Sequence, residues 1–370
     1  MQRAIGLTAL LFFMALTACN HEKGFTINAH ITGFPDSTKI YLSNMATQQK
    51  LDSALVIDNK FVLKGHFSDP PEMVALLSFV QHKGVNTVLL LGNDHLSIEG
   101  NIRDFPDNLK YSGSRTQQEL DIQKKSRRAL SKKNASIYKK YFLLSEEDRN
   151  GKPGKELLSL LKNVQDSLIS KNIEFAKKHI NTYAGIIQLG FLKKRLPVDT
   201  VRALYNKIKP ELKASKYARV LKVFLNEKIA KTGDMFHDFE AFNQKGEKVK
   251  FSSLTGKYIL LDFSSAFCGP CIQSIGELHE INRVYKDSLK IIGFSQDASK
   301  DAWLKGLKRD SVSWVSLWDG KGMFSETSIK YGVEGIPSFF LINPRGQIID
   351  TWGGYGKGLI KKKIEKYLHG

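Results

Sequence analysis

Cys268-Gly269-Pro270-Cys271 follows the apolar run Tyr258-Ile-Leu-Leu-Asp-Phe263 and precedes a helix-like stretch starting at Ile272. That order constrains the fold strongly, because a strand must deliver both thiols to the first turn of a helix. The first thiol then lies among unpaired backbone N–H groups at the positive end of the helix dipole, which favours a thiolate. The second lies one turn on, within reach of a mixed disulfide formed at the first. Disulfide exchange is the chemistry such a pair serves.

Two plainer uses of the pair fit less well. A structural zinc site takes four ligands, usually a second Cys or His pair at related spacing. The remaining cysteine, Cys19, stands at the far end of the chain, and His279 alone completes no set. As a staple, a disulfide across so short a ring would contribute roughly 2 kcal/mol, against about 4.7 kcal/mol for a loop of a hundred residues.

The N-terminus bears on compartment. Arg3 is followed by an apolar run to Leu16, of signal-peptide length and too short for the span of a folded membrane domain. Its end, Leu16-Thr-Ala-Cys19, resembles the lipobox of bacterial lipoproteins, which implies cleavage before Cys19 and lipidation of that residue. An ordinary secreted protein with a chance cysteine is the alternative. With Cys19 acylated, the two motif cysteines are the only thiols left, so no third cysteine can mispair in an oxidising compartment. No second long apolar segment occurs, and a tethered, otherwise soluble body is expected.

The formal charge of +19 is concentrated in the middle. Met1 to Arg115 carries 10 basic and 10 acidic residues, Thr116 to Ala230 carries 26 and 11, and the remainder 20 and 16. The middle charges are scattered through helical patterns (Lys124, Lys125, Arg127, Arg128; Lys193, Lys194, Arg195) without interleaved stacking aromatics. That pattern predicts a solvated basic surface facing acidic partners or lipid headgroups, and not a nucleic-acid site.

From Gly24 to Arg115 the pattern is strand-like. Thr26-Ile-Asn-Ala-His-Ile31 and Lys60-Phe-Val-Leu-Lys-Gly-His-Phe67 alternate with period two, and Asp58-Asn59 reads as a turn. Gly92-Asn93-Asp94, between Val88-Leu-Leu-Leu91 and Leu96-Ser-Ile-Glu99, predicts a hairpin. About seven such strands suggest an antiparallel β-sandwich. The layout is similar to the β-rich domain of unknown function that precedes thioredoxin-like modules in exported Gram-negative proteins. Gly33 with Tyr41-Leu42, Asp58-Asn-Lys-Phe61 and Ser112-Gly-Ser114 carry that likeness.

Thr116 to Ala230 is helical by periodicity. Leu157, Leu161, Val164 and Leu168 form one stripe, continued by Ile169, Ile173, Ala176 and Ile180. Asn150-Gly-Lys-Pro-Gly154, Pro197 and Pro210 interrupt it. Ser215 is placed to cap a last helix whose apolar face would be Val220, Val223, Phe224 and Leu225. The expected role is packing and spacing, with no cofactor box.

After Gly233 the order is a hairpin turning at Gln244-Lys-Gly246, the CxxC strand and helix, then Lys290-Ile-Ile-Gly-Phe-Ser295. A helix near Asp301 to Leu307, Ser313-Trp-Val-Ser-Leu-Trp318, Tyr331-Gly-Val-Glu-Gly-Ile-Pro337, Ser338-Phe-Phe-Leu-Ile-Asn343 and a final helix complete it. This part resembles the exported thioredoxin-like family that includes the TlpA and ResA reductases. The resemblance implies an α/β thioredoxin fold, with Cys268 as attacking and Cys271 as buried resolving cysteine. It also implies a cis-proline at Pro337, beside which the Ile336 backbone pairs with extended substrate. Asp262 aligns with thioredoxin's buried aspartate, which would take the proton of the resolving thiol. No metal or organic cofactor is implied.

The chain departs from the family pattern in places. Ser264-Ser265 replaces the frequent Trp-Ala, Phe267 precedes the first cysteine, and Ser274 stands where many ResA-like proteins carry a glutamate. Gly276 replaces the usual helix-kinking proline. These differences weaken a role in cytochrome c maturation and leave Asp262 as the only acid the sequence places near the thiols. The peroxiredoxin motif Pro-x-x-x-Thr-x-x-Cys is absent. The organisation expected is a signal peptide over 1–18, a β-sandwich over 19–115, a helical segment over 116–230 and a thioredoxin-like domain over 231–370. The expected protein is an outer-membrane lipoprotein facing the periplasm. It would reduce disulfides in exported proteins and be renewed by an upstream membrane thiol reductant. A binding lipoprotein with a residual thioredoxin fold, or an oxidase or isomerase, are the alternatives.

Overall fold

A computed structural model describes residues 24–80 and 82–368, so Cys19 and the signal-like segment lie outside the described residues. The first part is a sandwich of two four-stranded sheets. Its strands are β1 (Phe25–Thr32), β2 (Lys39–Asn44), β3 (Lys50–Leu55), β4 (Lys60–Gly65), β5 (Glu72–Val80), β6 (Lys83–Leu91), β7 (His95–Asn101) and β8 (Lys110–Ser112). The sheets run β4-β1-β7-β8 and β3-β2-β5-β6. Phe25, Ile27, Ala29 and Ile31 of β1 alternate into a core shared with Leu42, Leu76, Leu89 and Leu96 of both sheets. Asp58 and Asn59 adopt positive φ (48° and 61°) between bridged Ile57 and Lys60, the geometry of a two-residue type I′ turn.

Two details differ from the sequence expectation. The sandwich is not wholly antiparallel, since β1 and β7 pair in parallel from Thr26–His95 to Thr32–Asn101. Nor does Gly92-Asn93-Asp94 close a hairpin: β6 and β7 lie in different sheets, and this corner carries the chain across. Asn93 holds the corner, its Oδ1 accepting from Phe67 N (2.9 Å) and its Nδ2 donating to Phe67 O (2.7 Å). A short polar turn cannot distinguish a hairpin from a sheet-to-sheet crossing, because the deciding partner is remote.

The helices are α1 (Arg115–Leu143), α2 (Glu146–Asn150), α3 (Lys152–Lys178), α4 (Tyr183–Leu192), α5 (Val198–Asn206), α6 (Pro210–Lys213) and α7 (Lys216–Asn226). The leading half of the α3 stripe, Leu157 to Leu168, packs with Leu130 and Ile137 of α1. The trailing half, Ile169 to Ile180, packs with Leu189, Val201 and Leu221 of the later helices. Gly154 permits the tight passage from α2 to α3, because a Cβ there would stand 2.0 Å from Arg149 O. Ser215 caps α7 by accepting from Ala218 N. The buried face of α7 includes Tyr217, Ala218 and Leu221 besides Val223 and Leu225, while Val220 and Phe224 are half-buried.

The last part is a seven-stranded sheet, β10-β9-β13-β12-β11-β14-β15. Its strands are β9 (Glu240–Asn243), β10 (Lys248–Lys250), β11 (Tyr258–Ser264), β12 (Leu289–Ser295), β13 (Val315–Trp318), β14 (Ser338–Ile342) and β15 (Ile348–Gly353). Helices α8 (Gly269–Val284), α9 (Lys300–Arg309), α10 (Glu326–Lys330) and α11 (Leu359–Glu365) complete it. β11, β12 and β13 are parallel and β14 returns antiparallel to β11. β11 is buried along both faces, which explains its unbroken apolar sequence. Alternation along it sends Leu261 and Phe263 into one core and Leu260 into the other, which α8 and α11 cover.

Lys216 ties the three parts together. Its side chain, in a residue 9% exposed, pairs with Glu72 Oε1 (2.5 Å), donates to Asp69 O (2.8 Å) and lies over the rings of Tyr217 and Phe324. Tyr217 donates to Pro71 O (3.0 Å) and meets Phe324 edge-on. Lys216→Met keeps the stem but strands the half-buried Glu72 carboxylate. It should lower stability by about 3 kcal/mol at neutral pH, measurable by urea unfolding. Among the described residues no helix is long and apolar enough to cross a membrane.

Candidate active site

Strand alternation puts Asp262 on the same face of β11 as Leu260, beneath α8. The chain leaves β11 at Ser264, passes Ser265-Ala266-Phe267 and enters α8 with Cys268 as N-cap. Cys268 and Cys271 form a disulfide. Cys268 Sγ accepts from Cys271 N at 3.2 Å, so the helix's first-turn donors face this sulfur. Cys268 is half-exposed, whereas Cys271 is 4% exposed. The pair thus has one sulfur open to a partner and one enclosed.

The loop from Tyr331 to Pro337 closes the other side. The Ile336–Pro337 bond is cis, and Ile336 O lies 3.5 Å from Cys268 Sγ. Phe267, 59% exposed, and Ile272 extend an apolar rim beside the accessible sulfur. The helical segment reaches this loop through Lys194, which donates to Gly332 O (2.6 Å) and lies 3.7 Å from Glu334 Oε1.

Behind the disulfide is a small cavity of about 40 Å³, lined by Asp262, Cys271, Ser295 and Asp297 among others. That volume accommodates ~2–3 waters. Asp262 is 4% exposed, and burial pushes its pKa up from 3.8 to about 7. Its Oδ1 has no hydrogen-bond partner among the described residues. The enclosed thiol and a carboxyl that titrates near neutrality therefore share one cavity.

Asp262 is not the only acid near the thiols, contrary to the sequence expectation, because Asp297 and Asp310 line the same cavity. Their carboxylates are already engaged. Asp297 accepts from Ser265 Oγ (2.8 Å), Ser295 Oγ (2.8 Å) and Ala266 N (3.0 Å to Oδ2), and Asp310 is held by Arg309 at 2.7 Å. Arg309 Nη1 also donates to Ala266 O (2.8 Å), so the segment preceding Cys268 is fastened at both backbone polar groups. Gly306 lets α9 approach that segment, since a Cβ there would stand 2.6 Å from Ala266 Cβ. Asp297 follows the C-terminal end of a parallel strand, where α/β sites collect, and that position was the signal for it. Asp297→Ala would leave a buried N–H and two hydroxyls without their acceptor. A loss of about 3 kcal/mol is expected in denaturant unfolding.

Ser274, in place of the family glutamate, is buried and donates to Cys271 O (2.7 Å). His279 approaches Asp310 O (2.9 Å), and among the described residues no cluster could hold a metal.

Residues 232–351 match the AhpC/TSA family and residues 25–120 match a domain of unknown function, DUF4369. The thiol-disulfide oxidoreductase ResA of Bacillus thuringiensis is 26% identical over 146 residues, which are 39% of this chain and 81% of that protein. The ResA of Halalkalibacterium halodurans is 23% identical over 146 residues, 39% of this chain and 80% of its own. A solved thiol-disulfide oxidoreductase from Bacteroides fragilis is 29% identical, covering 36% of this chain and 100% of that one with a TM-score of 0.34.

Proposed function

We propose that this chain, whose C-terminal part is a thioredoxin-like thiol-disulfide oxidoreductase, is a membrane-tethered reductase of disulfides in exported proteins. The supporting observation is the asymmetry of the pair: Cys268 accessible at a helix N-terminus, Cys271 enclosed above Asp262. In the reduced protein the Cys268 thiolate attacks one sulfur of a substrate disulfide held against Ile336 and Pro337. A Cys268–substrate S–S bond forms, and the other substrate sulfur leaves as a thiolate. Cys271 then gives its proton to Asp262, directly or through cavity water, and attacks Cys268 Sγ. The second substrate thiolate departs, and the two electrons that reduced the substrate come from the Cys268 and Cys271 thiols, which are left oxidised as their disulfide. An upstream membrane thiol reductant restores the dithiol. The peroxiredoxin Pro-x-x-x-Thr-x-x-Cys pocket is missing from this chain, which favours disulfide over peroxide as oxidant.

Direction is tested by equilibrating the pair with glutathione and measuring its potential. A reductase should poise near the thioredoxin value of about −270 mV; a value near about −120 mV would make it an oxidant and sink the proposal. Tethering is proposed through Cys19, at the outer membrane facing the periplasm. Mass spectrometry of the mature protein from a Gram-negative host should find an acylated N-terminal Cys19, and Cys19→Ala should move the protein to the soluble fraction.

A further inference from the structure

Between the sandwich and the helices lies a second cavity of about 540 Å³, within the range of small-molecule sites. Met73, Val88, Leu90, Leu120, Ile187 and Phe191 form its apolar wall. Lys124 and Arg127, one helical turn apart on α1, face the same space with a single carboxylate, Asp107, on the lining. Lys124 Nζ donates to Val88 O (2.7 Å) and Thr87 Oγ1 (3.2 Å), both neutral, which leaves a third N–H. Neither cation has a carboxylate at ion-pair distance among the described residues, and Asp121 is paired with Lys125 instead. Burial pushes the Lys124 pKa below its usual range, Asp107 and Asp121 oppose this from farther away, and Arg127 adds repulsion. The floor is preformed: Gln123 Nε2 donates to Gln188 Oε1 (2.9 Å) and Asn172 Oδ1 (3.2 Å), with Gln123 and Gln188 both buried.

We propose that this cavity binds a small organic anion with an apolar body, its acid group against Lys124 and Arg127 and its hydrocarbon against the Leu120–Phe191 wall. A half-buried ammonium with only neutral oxygens for partners is poorly compensated, and an incoming anion supplies the missing charge. The apolar wall gains from the same event by losing water contact. The site is separate from the thiols and does not depend on the redox proposal.

Calorimetric titration of the full chain with octanoate, octanol and octylammonium tests this. Saturable one-to-one octanoate binding is expected, with the other two probes binding at least about tenfold more weakly. Arg127→Gln, at a half-buried position with no ion pair to lose, should fold normally and weaken octanoate by about tenfold. Lys124→Met should weaken it further if folded. No saturable heat with octanoate, equal binding of octanol, or unchanged affinity in Arg127→Gln would each overturn the proposal.

Discussion

Cys268→Ser should reduce insulin disulfides no faster than the uncatalysed background, because a serine hydroxyl is not ionised at neutral pH and cannot be the leaving sulfur of a mixed disulfide. Cys271→Ser should behave differently. Attack by Cys268 proceeds, resolution does not, and substrate accumulates covalently on the protein, visible on non-reducing gels and released by dithiothreitol. The contrast follows from the geometry: Cys268 is the half-exposed sulfur facing the helix N-terminus and Ile336 O, while Cys271 is enclosed. Wild-type turnover in Cys268→Ser, or trapped adducts on Cys271 in its place, would reverse the assignment.

Asp262→Asn should slow the resolving step and raise stability together. Folded Asp262 keeps its proton to about pH 7, whereas the unfolded side chain loses it near 3.8. Between those values the folded state binds the extra proton, so its contribution is fully present below 3.8 and falls as pH rises toward 7. The displacement corresponds to about 4 kcal/mol above pH 7 and to almost nothing at pH 3.5. Asp262→Asn removes that dependence, since an amide of equal size carries no charge to bury. Urea unfolding should therefore show a stabilisation that grows from pH 4 to pH 7 and then levels. In stopped-flow measurements the wild-type resolving rate should rise with pH to about 7, as the carboxylate becomes available, and the variant should lack that limb. A variant with wild-type rate and wild-type stability across this range would leave Asp262 with no part in proton transfer.

The C-terminal fold and its thiol pair were legible because local rules and the tertiary structure agree there. β11 is apolar on every residue but Asp262 up to Phe263, and only a strand covered on both faces tolerates that. Gly269 and Pro270 open α8 and leave Cys268 as its cap. Helical spacing likewise marked one continuous apolar stripe from Leu157 to Ile180, which the structure divides between two packing surfaces. Ser215 announced α7, and Val223 and Leu225 lie on its buried face as expected, whereas Tyr217 is buried there against Phe324 and Pro71, both remote in sequence.

What the amino-acid sequence determined by itself was whatever depends on neighbours within a turn or a strand: the helix-capping thiol, the alternating strands, the helical stripes and the lone carboxyl in an apolar run. Tertiary structure decided the rest, because electrostatics and pairing depend on distance in space. It made β1 and β7 parallel partners and turned Gly92-Asn93-Asp94 into a crossing between sheets. It brought Asp297 and Arg309, 29 and 41 positions beyond Cys268, onto the segment that presents the thiols. It also distinguished three acids on one cavity by their donors, since Asp297 and Asp310 each accept side-chain hydrogen bonds. Asp262 alone among them has a buried carboxyl oxygen that no donor reaches, and desolvation therefore pushes its pKa up to about 7.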